Sequence, residues 1–411
     1  MESPKLYDLI IKNGHVIDPA NNLDAPMDVA VKDGKIALVA SGIDAALAEK
    51  CVDVDHSYVI PGIIDIHTHV YPVLPKDNHT LPAIDCDSHM LRAGVTTTAD
   101  AGTIGWRDFI SFKEQVIDRA KVRVLAYINI GSKGMVDMRS EQTPADMHPG
   151  IVAEVAKAYS DVVVGIKAAH YWGAPNKFDA DHPAWASVDN TLKAGELSGM
   201  PVMIDFQPNL PESPYPELIT ERLRPGDIHT HVFARQFPTV DKNGKVYEHM
   251  WKAREKGIYF DLGHGAGSFW FRNGVRALRD GFPPDTLSTD LHLGSVTGAA
   301  STMLHVMAKY HNMGMPLQEV IMRSTCMPAK LIRRPELGTL SVGSGADIAV
   351  IRKIEGKFDF VDNGGARIPG NCMFDCQMTL RDGKIVYNLY GIGLPLWEDA
   401  PEDYWKVPFD Q

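Results

Sequence analysis

The chain has 411 residues, 45% of them hydrophobic and 23% charged, with a formal net charge of −11. That is the composition of a soluble globular protein, long enough for one large domain and a smaller one. The negative balance and the lack of a Lys/Arg run exclude nucleic acid and anionic membrane as expected partners, and no apolar stretch is long enough to span a bilayer.

The start, Met1-Glu2-Ser3-Pro4-Lys5, lacks the charged and apolar regions of a signal peptide. This points to a cytoplasmic protein, unless a leader was removed. Five scattered cysteines, Cys51, Cys86, Cys326, Cys372 and Cys376, do not form a disulfide framework and read as small buried side chains.

Residues 5–60 read as short strands and tight turns. Leu6 to Ile11 leads into Asn13-Gly14, a turn dipeptide, and then into His15 to Asp18. Asp28 to Val31 leads to Asp33-Gly34, a second hairpin signal before Lys35 to Val39. The pattern predicts a small β-sandwich.

Pro61-Gly62 then opens the apolar run Ile63-Ile64-Asp65-Ile66, which closes on His67-Thr68-His69. Residues i and i+2 of a strand share a face, so both imidazoles can reach one metal ion. From residue 62 to about 335, strand-like runs alternate with helical stretches. The strand candidates end near Asp100, Ile130, Lys167, Asp205, His231, Leu262 and Asp290. With Ile63 to His69 they make eight. Polar residues at strand ends predict a (β/α)8 TIM-like barrel with its site at the C-terminal face. A doubly wound open sheet is the alternative, and it leaves a metal-type residue on strand after strand unexplained.

Residues 338–390 return to short strands, and Asp382-Gly383-Lys384-Ile385 repeats the Asp33 to Ile36 hairpin. The two chain ends are expected to form one sandwich, residues 1–61 and 337–393, into which the barrel, residues 62–336, is inserted. Residues 394–411, with two Trp and three Pro, read as an arm packed on a surface, its own or that of a neighbouring subunit. A homo-oligomer is expected.

The strand-end residues are the candidate ligands. His67, His69 and Asp290 would hold a first divalent ion, with Asp290 beside a bound water. Lysine as ammonium cannot bind a metal. Desolvated among cations it loses its proton and can add CO2 to become a bridging carbamate. On its own, Lys167 reads equally well as an ordinary lysine with a buried stem.

Pro61 to His69 resembles the opening strand of the amidohydrolase superfamily. Val163-Val164-Gly165-Ile166-Lys167 resembles the carboxylated-lysine strand of its two-metal members. Gly226 to His231 is similar to the sixth strand, with His231 as its histidine, and Ser288 to His292 to the eighth-strand aspartate motif. Asp100-Ala101-Gly102 and Asp261 to Gly265 resemble the deacetylase and dihydroorotase-like branch. The likeness spans nearly the whole chain in order. It implies a barrel hydrolase with two divalent ions, zinc or manganese, a carboxylated Lys167 and Asp290 as catalytic base. One departure stands out: Asp205 occupies the place of the usual fifth-strand histidine. Aspartate can still ligate, as a harder and more anionic donor.

His170, Tyr171, His264 and His292 lie on barrel loops and are candidate substrate contacts. His229, two residues deeper than His231, reads as a core or supporting histidine. The expected reaction is metal-dependent hydrolysis of an amide or acyl ester in a small N-acyl or O-acyl acid. A cyclic amidohydrolase of dihydroorotase or hydantoinase type is the runner-up, and a metal-free interaction scaffold is the rival from another class.

Overall fold

The computed structural model describes residues 5–71, 80–170, 181–208 and 211–402, without the His170 side chain. The N-terminal segment forms β1 (Tyr7–Asp18), β2 (Leu23–Lys32), β3 (Lys35–Ala40), β4 (Ala48–Asp53) and β5 (Tyr58–Pro61). Asn13-Gly14 is not the expected hairpin turn. It is a bulge inside β1, where the pairing with β2 shifts between Ile11 and Gly14. Asn13 takes a left-handed φ of 57°, which aspartate and asparagine tolerate. A Cβ on Gly14 would lie 2.4 Å from Val59 Cγ2, so the strand can bend only with glycine there. Asp33-Gly34 does form the β2–β3 hairpin, with φ of 51° and 73°, as the dipeptide predicts.

The barrel follows with β6 (Ile63–Thr68), β7 (Val95–Gly105), β8 (Arg123–Asn129), β9 (Val163–His170), β10 (Val202–Phe206), β11 (Ile228–His229) and β12 (Tyr259–Phe260). They pair in sequence order as one curled parallel sheet. The segment around 286–291 closes it through single parallel bridges, Asp261 to Thr286 on one side and Thr68 to Leu291 on the other. This eighth strand is irregular because side chains intrude on its ladder. Asp65 accepts from the Thr289 amide at 3.1 Å, and Ser288 Oγ accepts from the Gly263 amide at 2.8 Å.

The chain returns through β13 (Ile348–Val361), β14 (Arg367–Arg381) and β15 (Lys384–Tyr387). These join β1 to β5 in a single eight-stranded sheet, with β5 between β1 and β13. Val16, Val29, Val31 and Val59 from one end share an apolar cluster with Ile348, Val350 and Leu380 from the other. In the described part of the arm, Leu394, Leu396 and Trp397 stand 62%, 71% and 73% exposed. No helix among the described residues is long and apolar enough to cross a membrane.

Candidate active site

The structure gathers six of the expected residues at the C-terminal rim. His67 and His69 close β6. Their ligand atoms and an Asp290 oxygen all lie within 4.8 Å of one another. His69 Nε2 stands 3.1 Å from Asp290 Oδ1 and His67 Nε2 3.6 Å from it. Lys167 Nζ, fully buried, is 3.3 Å from His67 Nε2. The His231 ring lies 4.8 Å from the His67 ring, and its Nε2 is 3.2 Å from Asp205 Oδ2. His231 and Asp290 both take left-handed backbone, φ 59° and 48°, a conformation residues keep only where surroundings impose it.

The outer hydrogen bonds test whether this donor set suits a metal. Thr230 Oγ1 donates to Asp261 Oδ2 at 2.7 Å, so it must accept from His67 Nδ1 at 2.8 Å. Thr103 Oγ1 donates to Asp100 Oδ2 at 2.7 Å, so it must accept from His69 Nδ1 at 2.8 Å. His231 Nδ1 donates to the Gly263 carbonyl at 2.6 Å. Each imidazole thus carries a proton on Nδ1, and each Nε2 faces inward as a potential ligand. Three such nitrogens beside two carboxylates fit a divalent cation.

Burial, and then the nearby Lys167 and histidines, hold His67 well below the usual histidine range, so it is neutral. Burial opposes charge on Asp290, but His69, His231 and His292 outweigh it and keep the carboxyl below its usual range. Burial also opposes charge on His231, but Asp205 raises that imidazole to about 9.

The loop candidates fare differently. His292 stays near the rim, its ring 6.3 Å from that of His69. His264 is fully buried, with Nε2 on Lys309 at 2.6 Å and Nδ1 on the Gly265 carbonyl at 3.2 Å. Both ring nitrogens are engaged, so the structure does not present it to a substrate. The glycine signal of that turn belongs to Gly265, where a Cβ would lie 2.3 Å from Asp290 Oδ2. His170 ends β9, its side chain beyond description, and Tyr171 lies outside the described residues. His229 is a core residue packed on Tyr215 and Phe237.

Sequence reading missed Glu141. It is buried at the rim and accepts a hydrogen bond from Asn129 Nδ2. Burial raises its carboxyl to about 8. Glu141 sits among short turns of a loop, with no strand period to flag it. Thr103 and Thr230 were missed as well. In Thr230 the signal was present, a hydroxyl between the two histidines of His-Thr-His.

No family model matches the chain. A protein named deacetylase from Brucella anthropi is 28% identical over 353 residues, 83% of each chain. The crystal structure of an adenine deaminase superposes with a TM-score of 0.82 at 27% identity, over 93% of this chain and all of that one. That of a dihydroorotase gives 0.76 at 26% identity, over 92% and 99%. A closed parallel barrel with histidine and carboxylate donors at its C-terminal rim defines a TIM-barrel enzyme of the metal-dependent type. The relatives and structural neighbours named deacetylase, adenine deaminase and dihydroorotase are all of the amidohydrolase superfamily, and the chain is similar to its deacetylase and dihydroorotase-like branch.

Proposed function

We propose that the chain is a hydrolase of carbon–nitrogen bonds other than peptide bonds that releases the acyl group of a small N-acyl or O-acyl acid. The observation that carries this reading is the set of three histidines pinned at Nδ1, with Nε2 of His67 and His69 turned to Asp290 and Nε2 of His231 turned to Asp205. In this reading His67, His69 and Asp290 hold one divalent ion, and Lys167, Asp205 and His231 hold a second, both most simply zinc with manganese as the alternative. Bound there, the ions would acidify a water molecule and polarise the acyl carbonyl.

The chain's own groups do the rest. Asp290, kept ionised, accepts the water's proton and returns it to the departing nitrogen or oxygen. Lys167 loses a proton and adds CO2, becoming a carbamate. Its Nζ supports this: among the described residues its hydrogen-bond partners are His67 Nε2 and, at 3.9 Å, Met203 Sδ, both weak partners for an ammonium. His292 contributes at the rim. The eight-stranded sheet reads as the small sandwich of residues 1–61 and 337–393 beside the barrel of 62–336, with 394–411 as an arm that meets a neighbouring subunit. A cytoplasmic homo-oligomer completes the reading.

The test is a screen of N-acetyl D- and L-amino acids, O-acetyl hydroxy acids and cyclic amides, before and after chelation. Acyl release that vanishes with the metal and returns on its addition is expected. Turnover of cyclic amides alone would shift the reading to the dihydroorotase and hydantoinase type, which the dihydroorotase superposition favours. A fully metal-free protein with unchanged activity would overturn it. The interaction scaffold is disfavoured by the grouping of His67, His69 and Asp290 with their ligand atoms within 4.8 Å of one another.

A further inference from the structure

A surface cavity of about 700 Å³ is lined by four arginines and a single carboxylate, and by none of the rim donors. Its walls come from the loop after β11, the helix Phe271–Arg279 and the turn between β13 and β14. Hydrogen bonds fasten the three together. Asn273 Nδ2 donates to the Phe233 and Ala234 carbonyls at 3.3 and 3.1 Å, which sets Arg235 beside the helix. The Phe271 amide donates to Asp362 Oδ2 at 3.0 Å, which sets the turn against the start of the helix.

Arg272, Arg276 and Arg279 are spaced i, i+4 and i+7, so they share one face of the helix. Arg235 adds a fourth guanidinium from the loop. Like charges at helical spacing repel and cost stability. Elsewhere the chain pairs its arginines, as Arg123, Arg222 and Arg224 show, each with an aspartate. Among the described residues none of the four cavity arginines forms an ion pair or donates a side-chain hydrogen bond. The nearby carboxylates are engaged otherwise. Asp362 accepts from the amides of Phe271, Gly364 and Ala366. Asp280, next in sequence to Arg279, takes Lys245 at 2.6 Å and the Val246 amide at 2.8 Å.

In a chain of net charge −11, this cavity keeps an uncompensated positive field. A guanidinium presents a planar fork that matches the oxygens of a phosphate. A phosphate monoester brings about −1.5 to −2 charges and three acceptor oxygens near neutral pH, where a carboxylate brings one charge and two oxygens. Several forks around one cavity suit the former. Trp270 and Val275 line the same cavity and offer apolar surface to an organic body.

We propose that this cavity binds a phosphorylated small molecule, its phosphate held by the arginines and its organic part against Trp270 and Val275. The site is independent of the hydrolytic reading above.

The experiment titrates the metal-loaded full chain by calorimetry with phenyl phosphate, inorganic phosphate and benzoate at fixed ionic strength. Phenyl phosphate should bind tightest, inorganic phosphate less tightly for want of the ring, and benzoate about tenfold or more below phenyl phosphate. The double variant Arg276→Gln, Arg279→Gln should weaken phenyl phosphate at least about tenfold. Arg235→Gln, on a different element, should weaken it too. Both variants should keep wild-type metal content. Without phosphate the double variant should melt at or above the wild-type midpoint, because repulsion along the helix is relieved. Phenyl phosphate bound equally by wild type and both variants would place it elsewhere, the rim metals included, and overturn the proposal. No binding by wild type at millimolar phenyl phosphate would overturn it as well. Benzoate bound as tightly as phenyl phosphate would overturn the phosphate assignment. A lower midpoint in the ligand-free double variant would make these arginines structural and also overturn it.

Discussion

Thr230 decides which nitrogen of His67 faces the site. Its hydroxyl has one proton and gives it to Asp261, so only its lone pairs are left for His67 Nδ1. Thr230→Val keeps the shape and removes that acceptor. Metal affinity of the His67 half should fall about 10- to 100-fold, the usual cost of losing a partner behind a ligand, as measured by titration against a competing chelator. Asp290→Asn poses a different question. The amide keeps one ligand oxygen but cannot take a proton. Metal content should fall modestly, while kcat on a verified substrate should drop about 10²-fold or more. Near-normal kcat with metal retained would make Asp290 a ligand only. The gathering of these residues at one rim was legible in the sequence because strand period aligns His67 with His69 and sets Lys167, Asp205 and Asp290 at strand ends. Glu141 was not, because its loop has no period and its place depends on a hydrogen bond from Asn129, at the end of another element.

At the level of elements, the barrel's rhythm was legible and the lengths of its last strands were not. β11 and β12 have two paired residues each, and the eighth strand has only bridges. Apolar runs mark burial, but Asp65 and Ser288 take backbone amides that a regular ladder would use. The Asn13-Gly14 turn failed for a related reason: the dipeptide reports left-handed backbone, which a bulge uses as readily as a hairpin. The helix Met303–Asn312 shows what a polar residue can do inside an element. Its Lys309 donates to His264 Nε2 at 2.6 Å, to the Ala299 carbonyl at 2.7 Å and to the Val361 carbonyl at 2.8 Å. It ties two barrel loops to the end of β13. Lys309→Met would leave two buried acceptors and one half-buried acceptor unmet, a loss of about 2 kcal/mol or more in denaturant unfolding. Burial pushes the Lys309 amine down to about 7. Between that value and about 10.4, the ordinary lysine value, the unfolded chain binds a proton that the folded chain does not. Stability from this group therefore rises with pH across that window. Lys309→Met should flatten the rise, and an unchanged pH profile would refute the assignment.

For the whole molecule, the decisive contact is between chain ends. The barrel leaves and re-enters the sheet at adjacent strands: β5 pairs with β13, and the Gly62 amide donates to the Asp347 carbonyl at 2.8 Å. Arg123 at the start of β8 also reaches Asp347 in an ion pair. The two Asp-Gly hairpins that looked alike in sequence meet in space. A Cβ on Gly34 would lie 2.9 Å from the Asp382 carbonyl oxygen, and one on Gly383 would lie 2.8 Å from Gly34 Cα. Both glycines have positive φ, 73° and 76°. The repeat thus marks a contact between the first and last hairpins of the sheet, which fastens both ends of the inserted barrel. Gly383→Val should strain this contact twice. The left-handed backbone alone costs roughly 1–2 kcal/mol for a residue with a Cβ, and the branched side chain would also force the hairpins apart. The thermal midpoint should fall clearly. The turn lies outside the gathered rim residues, so metal content and kcat measured well below the midpoint should stay at wild-type values. A loss of metal at low temperature would mean that the sheet also sets the geometry of the site. An unchanged midpoint would mean that the hairpin contact contributes nothing to stability.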